Sequence, residues 1–205
     1  MQLDFIFSIL ILILSVVVHE VAHGLAANAL GDPTARLAGR LSMNPMKHID
    51  PVGSVLVPLL LFMTNSSFLF GWAKPVPYNP YNLRDQRWGE MLVAIAGPAS
   101  NLALALFFGL LIRFGGEGAL PASFLSIATL VVITNLVLAI FNLVPIPPLD
   151  GSKILFSLLP YHLLEVRVFL ERWGFFIVLF FIVFLWQYLT PFIRFIFSLI
   201  TGIGI

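Results

Sequence analysis

The sequence has 205 residues, of which 60% are hydrophobic and 10% are charged, and its mean hydropathy is +1.01. A soluble domain has about a quarter of its residues charged, so this composition predicts a multi-span protein in a lipid bilayer. A net charge of +1, with no basic cluster among aromatic residues, argues against nucleic-acid binding. The chain has no cysteine, so histidine and carboxylate side chains must hold any bound metal.

The first apolar segment, residues 3–30, is predicted to be a membrane-spanning helix with an HExxH pattern inside it. His19 and His23 are four residues apart, so on a helix they share one face, as two ligands of one metal must. Glu20 lies beside them, where a carboxylate can take a proton from a metal-bound water. Ionisable groups are costly in hydrocarbon, so the pattern predicts a functional site. The alternative is a chance pattern whose histidines satisfy each other in a helix bundle.

Between this helix and the next long span, we expect a small β-hairpin and a re-entrant segment. Residues 34–43 alternate between polar and apolar, which is typical of a strand, and prolines force residues 73–80 into an extended conformation. Asp50 before a proline is typical of a helix N-cap. The apolar stretch 52–70 is short and interrupted, so it should enter the membrane and leave on the same side.

Three further spans complete the predicted fold, an all-α polytopic membrane protein with four full spans. They cover residues 88–112, 122–143 and 173–189. The last is expected to end at a break at Pro191. We predict one membrane-embedded domain over residues 1–205. Its parts are a core at 1–155, an interfacial amphipathic segment at 154–172 and a C-terminal span region at 173–205.

A catalytic zinc site needs a third protein ligand and an open position for water. The candidates are His48, Asp50, Asp150 and His162. Asp50 is better explained as a cap, His48 as loop polarity and His162 as a solvated interfacial residue. Asp150 is expected to end a long apolar helix in a proline-rich break, where an unpaired carboxylate at membrane depth would be costly and a metal would satisfy it. Its alternative is a helix-terminating Asp-Gly turn.

Two motifs in this order resemble the signatures of the site-2 protease family of intramembrane zinc metalloproteases. They are HEVAH at residues 19–23 and NLVPIPPLDG at residues 142–151. Three other stretches resemble the compact bacterial and archaeal branch, which lacks PDZ and CBS domains: residues 44–51, 71–77 and 97–101. The resemblance covers about residues 10–155. Within the last stretch, Gly97, Pro98 and Asn101 are expected to serve close helix packing rather than chemistry.

The resemblance implies that His19, His23 and Asp150 bind one zinc ion and that Glu20 is the catalytic residue. Three residues fall where the family has residues tied to substrate handling: Asn142, Pro145 and Pro147. The implied reaction is hydrolysis of a peptide bond within or next to a transmembrane segment, with Glu20 as general base and acid toward a zinc-bound water. Expected substrates are transmembrane proteins or leftover signal peptides. Residues 34–43 and 73–80 would offer an edge to the unwound substrate, or would form a plain hairpin.

The two ligand-bearing helices are expected to run in the same direction. His19 lies about 16 residues, or roughly 24 Å, into its helix, and Asp150 is expected at the C-terminal end of its own helix. Two ligands at a similar depth, both late in their helices, require helices that run the same way. Only one segment between these helices can then cross the membrane fully, and the longer one, 88–112, is expected to do so. Most loop lysines and arginines then fall on one side, which the positive-inside rule makes cytoplasmic. We expect a multi-pass protein of the cell membrane, with the site toward the cytoplasmic leaflet and the N-terminus outside.

Two other functions use the same residues. In a metal-ion transporter or sensor, Glu20 would be a ligand, and further charged residues would line a path. The span at 88–112 has only Glu90, near its start, and the span at 122–143 has none. A non-catalytic membrane scaffold would have no need of a base at Glu20.

Overall fold

The computed structural model describes residues 2–56, 60, 63, 73–115 and 120–204. Within these ranges the chain is helical and contains no strand. Four helical stretches are long and apolar enough to cross a membrane: Ile6–Ala29, Trp88–Phe114, Ala122–Asn142 and Leu164–Thr201. The prediction of four spans is confirmed.

Seven α-helices make up the described fold. In chain order they are α1 (Gln2–Ala29), α2 (Thr34–Leu37), α3 (Gln86–Phe114), α4 (Ala122–Asn142), α5 (Asp150–Leu158), α6 (Leu164–Phe180) and α7 (Trp186–Thr201). Short 3-10 helices occur at Pro45–Lys47, Pro80–Asn82 and Tyr161–Leu163, and π-helical segments at Pro51–Leu56 and Phe181–Leu185.

The last span is longer than predicted and is not interrupted where expected. It begins at Leu164, so residues 164–172 of the predicted interfacial segment belong to the spanning helix. Pro191 lies inside α7, so the predicted break is wrong. A proline removes one backbone donor, but spanning helices tolerate that loss where the neighbouring turns keep their hydrogen bonds.

Helices α1, α3 and α4 form the part of the bundle that matters for the site. α1 and α3 are antiparallel, because Ser15 of α1 meets Asn101 of α3 while Ala27 packs with Val93. α3 and α4 are antiparallel too, because Gly115 after α3 lies against Leu120 before α4 while Asn101 meets Asn135, so α1 and α4 run in the same direction. Phe197 of α7 is buried in the apolar core against α3 and α4.

The predicted β-hairpin is wrong for the described residues. Residues 34–37 form α2, and Gly39 turns the chain with a φ of +64°. The alternation does not follow burial, since Ala35 is fully buried while Leu37 is 78% exposed. Residues 73–79 are not helical, as predicted, but they join the neighbouring loop through single hydrogen bonds, such as Lys74 N–H to the His48 carbonyl at 2.9 Å.

The predicted re-entrant segment, residues 52–70, lies largely outside the described residues. Its start belongs to the π-helical segment Pro51–Leu56. Asp50 caps this segment as predicted, because its carboxylate accepts hydrogen bonds from the backbone N–H groups of Val52 and Gly53.

Asp32, which follows α1, is hydrogen-bonded to the segment that precedes α3. It is fully buried, and its carboxylate accepts hydrogen bonds from Thr34 N–H and hydroxyl, Asn79 N–H and the Asn82 side-chain amide. Burial alone would raise the pKa of Asp32, but these hydrogen bonds outweigh it and lower the pKa. The carboxylate therefore stabilises the fold above the ordinary aspartate pKa, and this stabilisation is lost as the pH falls through the lowered value.

We predict that Asp32→Ala lowers the free energy of unfolding by about 2–3 kcal/mol, because several charge-assisted hydrogen bonds are lost together. Thermal unfolding in detergent micelles measures the effect. Asp85→Ala is the matched control, since exposed Asp85 caps α3 through Trp88 N–H and its loss should cost about 1 kcal/mol. Equal losses in the two variants would contradict the role given to Asp32.

Candidate metal centre

Two histidines of α1 and the first residue of α5 converge inside the helix bundle. His19 Nε2 and His23 Nε2 are 3.0 Å apart, and they lie 3.0 Å and 3.1 Å from Asp150 Oδ2. All three residues are buried, with at most 8% of their surface exposed. Their possible ligand atoms all lie within 4.8 Å of one another. The structure therefore brings together the three residues that the sequence proposes as ligands.

Asp150 reaches the histidines from a sharp chain reversal. It was expected to end the long helix, but α4 ends at Asn142 and Asp150 begins α5. Gly151 makes the reversal possible, because a Cβ there would collide with the carbonyl oxygens of Leu143 and Val144. The sequence pattern located the carboxylate correctly and its helix incorrectly, since residues 143–149 turn back within a short distance.

The hydrogen bond of His23 shows that the site suits a cation. Its Nδ1 lies 2.7 Å from the backbone carbonyl of Val93, and a carbonyl only accepts, so Nδ1 carries a proton and, in the neutral ring, Nε2 has a lone pair. That lone pair faces Asp150 Oδ2, a carboxylate oxygen that also only accepts. Two such acceptors 3.1 Å apart repel each other unless a proton or a metal ion lies between them, and a buried group of two imidazoles and one carboxylate fits a metal.

Gly97 of α3 lies directly against the two imidazoles. A Cβ at this position would be 2.6 Å from His19 Nε2 and closer still to His23 Nε2. Gly97 was predicted to allow close helix packing, and here it allows α3 to approach the ligand atoms of His19 and His23. One helical turn further along α3, Asn101 Oδ1 lies 2.6 Å from His19 Nδ1.

Glu20 is half-buried on α1, next to His19 in sequence, and is not one of the three clustered residues. Its Oε2 accepts a hydrogen bond of 2.8 Å from the backbone N–H of Val76. Val76 belongs to the irregular stretch 73–79, which packs over α1 so closely that a Cβ on Gly24 would meet the Val76 side chain. This contact fixes one oxygen of the carboxylate.

The other candidate ligands lie elsewhere among the described residues. His48 is buried and donates from Nε2 to the Ser42 carbonyl at 2.8 Å, and Asp50 caps a helical segment. His162 is exposed in the 3-10 helix Tyr161–Leu163. Within the described part of the chain, none of them joins His19, His23 and Asp150.

The three residues proposed for substrate handling lie at or after the end of α4. Asn142 donates from Nδ2 to the Leu138 carbonyl at 2.9 Å, Pro145 is exposed, and the carbonyl of Pro147 packs against Gly174 of α6. They lie at the start of, or within, the non-helical turn between α4 and α5 that places Asp150 next to the histidines.

Three polar residues that the sequence analysis did not single out lie close to Asp150 or to one another: Lys153, Tyr78 and Glu90. Lys153 Nζ lies 3.6 Å from Asp150 Oδ1 and 5.3 Å from the centre of the Tyr78 ring. The Tyr78 hydroxyl donates to Glu90 at 3.3 Å. Burial, followed by the charge of Glu90, raises the pKa of Tyr78, so it remains a neutral phenol. Only the spacing of Asp150 and Lys153 was visible in the sequence, as a possible pair one turn apart.

Comparisons with known proteins agree on one family. Peptidase family M50 matches residues 116–185, which include Asp150. The chain is 38% identical over 189 residues to "Putative zinc metalloprotease YwhC" of Bacillus subtilis, covering 89% of this chain and 80% of that protein. It is 32% identical over 168 residues to "Putative zinc metalloprotease Rip2" of Mycolicibacterium smegmatis, covering 81% of this chain and 62% of that protein. No solved structure matches the chain.

We predict that Gly97→Ala lowers the affinity for Zn²⁺ by about 10–100-fold, since the added methyl group displaces the imidazoles. Alanine favours a helix by up to about 1 kcal/mol over glycine, so a general loss of helix stability would not explain the effect. Titration against a chelating indicator measures the affinity. Gly89→Ala in the same helix is the control, because its Cβ meets only the Leu83 side chain and zinc binding should be unchanged. Unaltered binding by Gly97→Ala would contradict the described site.

Proposed function

Because the chain belongs to peptidase family M50, the site-2 protease family, we propose that it is an intramembrane zinc protease. Membership makes it a metalloendopeptidase, and its four apolar helical stretches make it a multi-pass membrane protein. The proposed reaction is hydrolysis of peptide bonds within or next to transmembrane segments. The observation that carries this proposal is the convergence of His19, His23 and Asp150 on one buried point.

We assign the metal as one zinc ion per chain. The names of YwhC and Rip2 include zinc, and two imidazoles with one carboxylate are a donor set that catalytic zinc sites use. His19 Nε2, His23 Nε2 and Asp150 would hold the ion. When bound, zinc supplies the Lewis acidity that activates water and polarises the scissile carbonyl.

Glu20 is assigned the proton transfers. The Val76 N–H holds its Oε2, which leaves Oε1 to take a proton from the attacking water and to pass it to the leaving amide nitrogen. The hydrogen bond also fixes the direction of the carboxylate, so that its free oxygen does not have to be ordered during the reaction. This assignment separates the base from the three ligands.

The proposed substrates are transmembrane proteins or leftover signal peptides, which share the lipid bilayer with the enzyme. Peptide bonds within a helix are shielded, so the substrate has to unwind before it reaches the buried site. We assign substrate handling to the break after α4, where Asn142, Pro145 and Pro147 lie. Asn142 Nδ2 uses one hydrogen for Leu138 and has a second one available for a carbonyl oxygen.

We propose that the metal site lies toward the cytoplasmic leaflet of the cell membrane and that the N-terminus is outside. The segment between α1 and α3 carries five basic residues in its described part, and it lies at the end of the bundle where α1 ends: Arg36, Arg40, Lys47, Lys74 and Arg84. Such a charge excess is typical of cytoplasmic loops.

We predict that Glu20→Gln retains zinc but slows cleavage by about 10²–10⁴-fold, because glutamine keeps the acceptor for Val76 N–H and cannot carry the proton. The measurement is cleavage of single-span and signal-peptide substrates in liposomes, with zinc content determined in parallel. Asp150→Ala is the comparison and should lose both metal and activity. Unchanged cleavage by Glu20→Gln would refute the mechanism, and loss of its zinc would favour the transporter, in which Glu20 is a ligand.

Orientation is testable by cysteine labelling, since the chain has no cysteine of its own. We predict that Tyr81→Cys, at an 81% exposed position before α3, reacts with a membrane-impermeant maleimide only from the cytoplasmic side. Pro121→Cys, exposed between α3 and α4, should react only from the outside. The reverse pattern would overturn the proposed orientation while leaving the metal site unaffected.

A further inference from the structure

Three buried polar residues form a hydrogen-bonded group that links His19 to α3 and α4. Asn101 of α3 and Asn135 of α4 are completely buried, and Ser15 of α1 is nearly so. Asn135 lies within the apolar span Ala122–Asn142, and Asn101 lies near the middle of α3. Amide side chains are costly in such surroundings unless all their hydrogen bonds are made, so the direction of each hydrogen bond is informative.

The orientation of the Asn135 amide is fixed by a backbone carbonyl. Asn135 Nδ2 lies 2.9 Å from the carbonyl oxygen of Val131 and 2.9 Å from Ser15 Oγ. A carbonyl can only accept, so the nitrogen of the amide must be on this side. Asn135 Oδ1 therefore faces Asn101, whose Nδ2 donates to it at 2.8 Å.

The same reasoning fixes Asn101 and then His19. Asn101 Nδ2 also donates to the backbone carbonyl of Ser15 at 3.3 Å, so its Oδ1 must point the other way, to His19 Nδ1 at 2.6 Å. An amide oxygen only accepts, which means that Nδ1 of His19 carries the proton. In the neutral ring, its Nε2 then presents a lone pair to the metal centre, 3.0 Å from Asp150 Oδ2.

We propose that Asn101 and Asn135 are positioning residues that set the tautomer of His19 before any metal binds. His23 obtains the same tautomer from the Val93 carbonyl and needs no side chain for it. His19 depends on a side-chain relay that starts at two backbone carbonyls, those of Val131 and Ser15. The use of this arrangement in catalysis rests on the proposed function, but the tautomer is a property of the metal-free protein.

If Asn101 and Asn135 only held the helices together, substitutions at these positions would have different effects. Asn101 and Asn135 also join α1, α3 and α4, and interhelical amide hydrogen bonds stabilise membrane bundles. Asn101→Leu removes both the acceptor for His19 and the interhelical donors. Asn101→Asp keeps an acceptor for His19 Nδ1 but removes the amide donors. The two variants therefore separate control of the tautomer from helix association.

The first experiment is ¹⁵N NMR of histidine-labelled, metal-free protein at a pH at which imidazole is neutral. The chain has only four histidines, and a His19→Gln sample identifies the signals of His19. We expect the Nδ1-protonated form of His19 in the native chain and in Asn101→Asp, a loss of this preference in Asn101→Leu, and a mixture in Asn135→Leu. An Nε2-protonated His19 in the native chain, or the same tautomer in all variants, would overturn the proposal.

The second experiment is the affinity of the same variants for Zn²⁺. We expect Asn101→Leu to bind about 10–100-fold more weakly and Asn101→Asp to recover most of the loss. Thr201→Val is the control for lost buried polarity, because Thr201 is buried in α7 and donates only within its helix to the Phe197 carbonyl. Equal weakening in Asn101→Leu, Asn101→Asp and Thr201→Val would refute positioning. Absence of zinc binding by the native chain would count against the proposed function, while the NMR result would still decide the tautomer.

Discussion

The site depends on three potential ligand atoms that the fold holds close together inside the bundle. Two imidazole nitrogens and one carboxylate oxygen are held about 3 Å apart in an apolar bundle, and when both rings are neutral and protonated at Nδ1, each of these atoms presents electrons rather than a proton. Such an arrangement is unfavourable in an environment of low polarity unless a cation lies among the three atoms. The remaining features of the site are best understood as the means by which the chain maintains this arrangement.

Three helices each contribute one part of that arrangement. α1 supplies both imidazoles, α5 supplies the carboxylate, and α3 supplies the space at Gly97 together with hydrogen-bond acceptors for the outer ring nitrogens. The stretch 73–79 then holds Glu20 from the side through one backbone N–H. Ligands and base are thus held by different elements, as expected if the carboxylate moves protons while the ligands remain fixed.

The sequence predicted the features that have a side-chain signature. The HExxH spacing, the apolar spans and an otherwise unexplained Asp150 were sufficient to name the three residues that converge. The strand predicted at residues 34–43 is wrong because the alternation does not follow burial: residues 34–37 form α2, Leu37 is exposed, and the chain turns at Gly39. The break expected at Pro191 was wrong because a spanning helix continues through it.

Other features had no signal that a single sequence can show. The contacts of His23 with the Val93 carbonyl and of Glu20 with the Val76 N–H involve backbone atoms, which every residue has. Asn135 acts on His19 only through Asn101, and it meets Ser15 across 120 positions of the chain. The sequence predicted a packing role for Asn101, and only the direction of its hydrogen bonds shows what it does for the histidine.

The most direct test of the account is X-ray absorption at the zinc edge on the native chain, purified in detergent and loaded with one equivalent of Zn²⁺. The account predicts one zinc per chain with two imidazole nitrogens at about 2.0–2.1 Å and additional oxygen ligands. A zinc ion with fewer than two imidazoles, or a chain that retains no zinc, would contradict it.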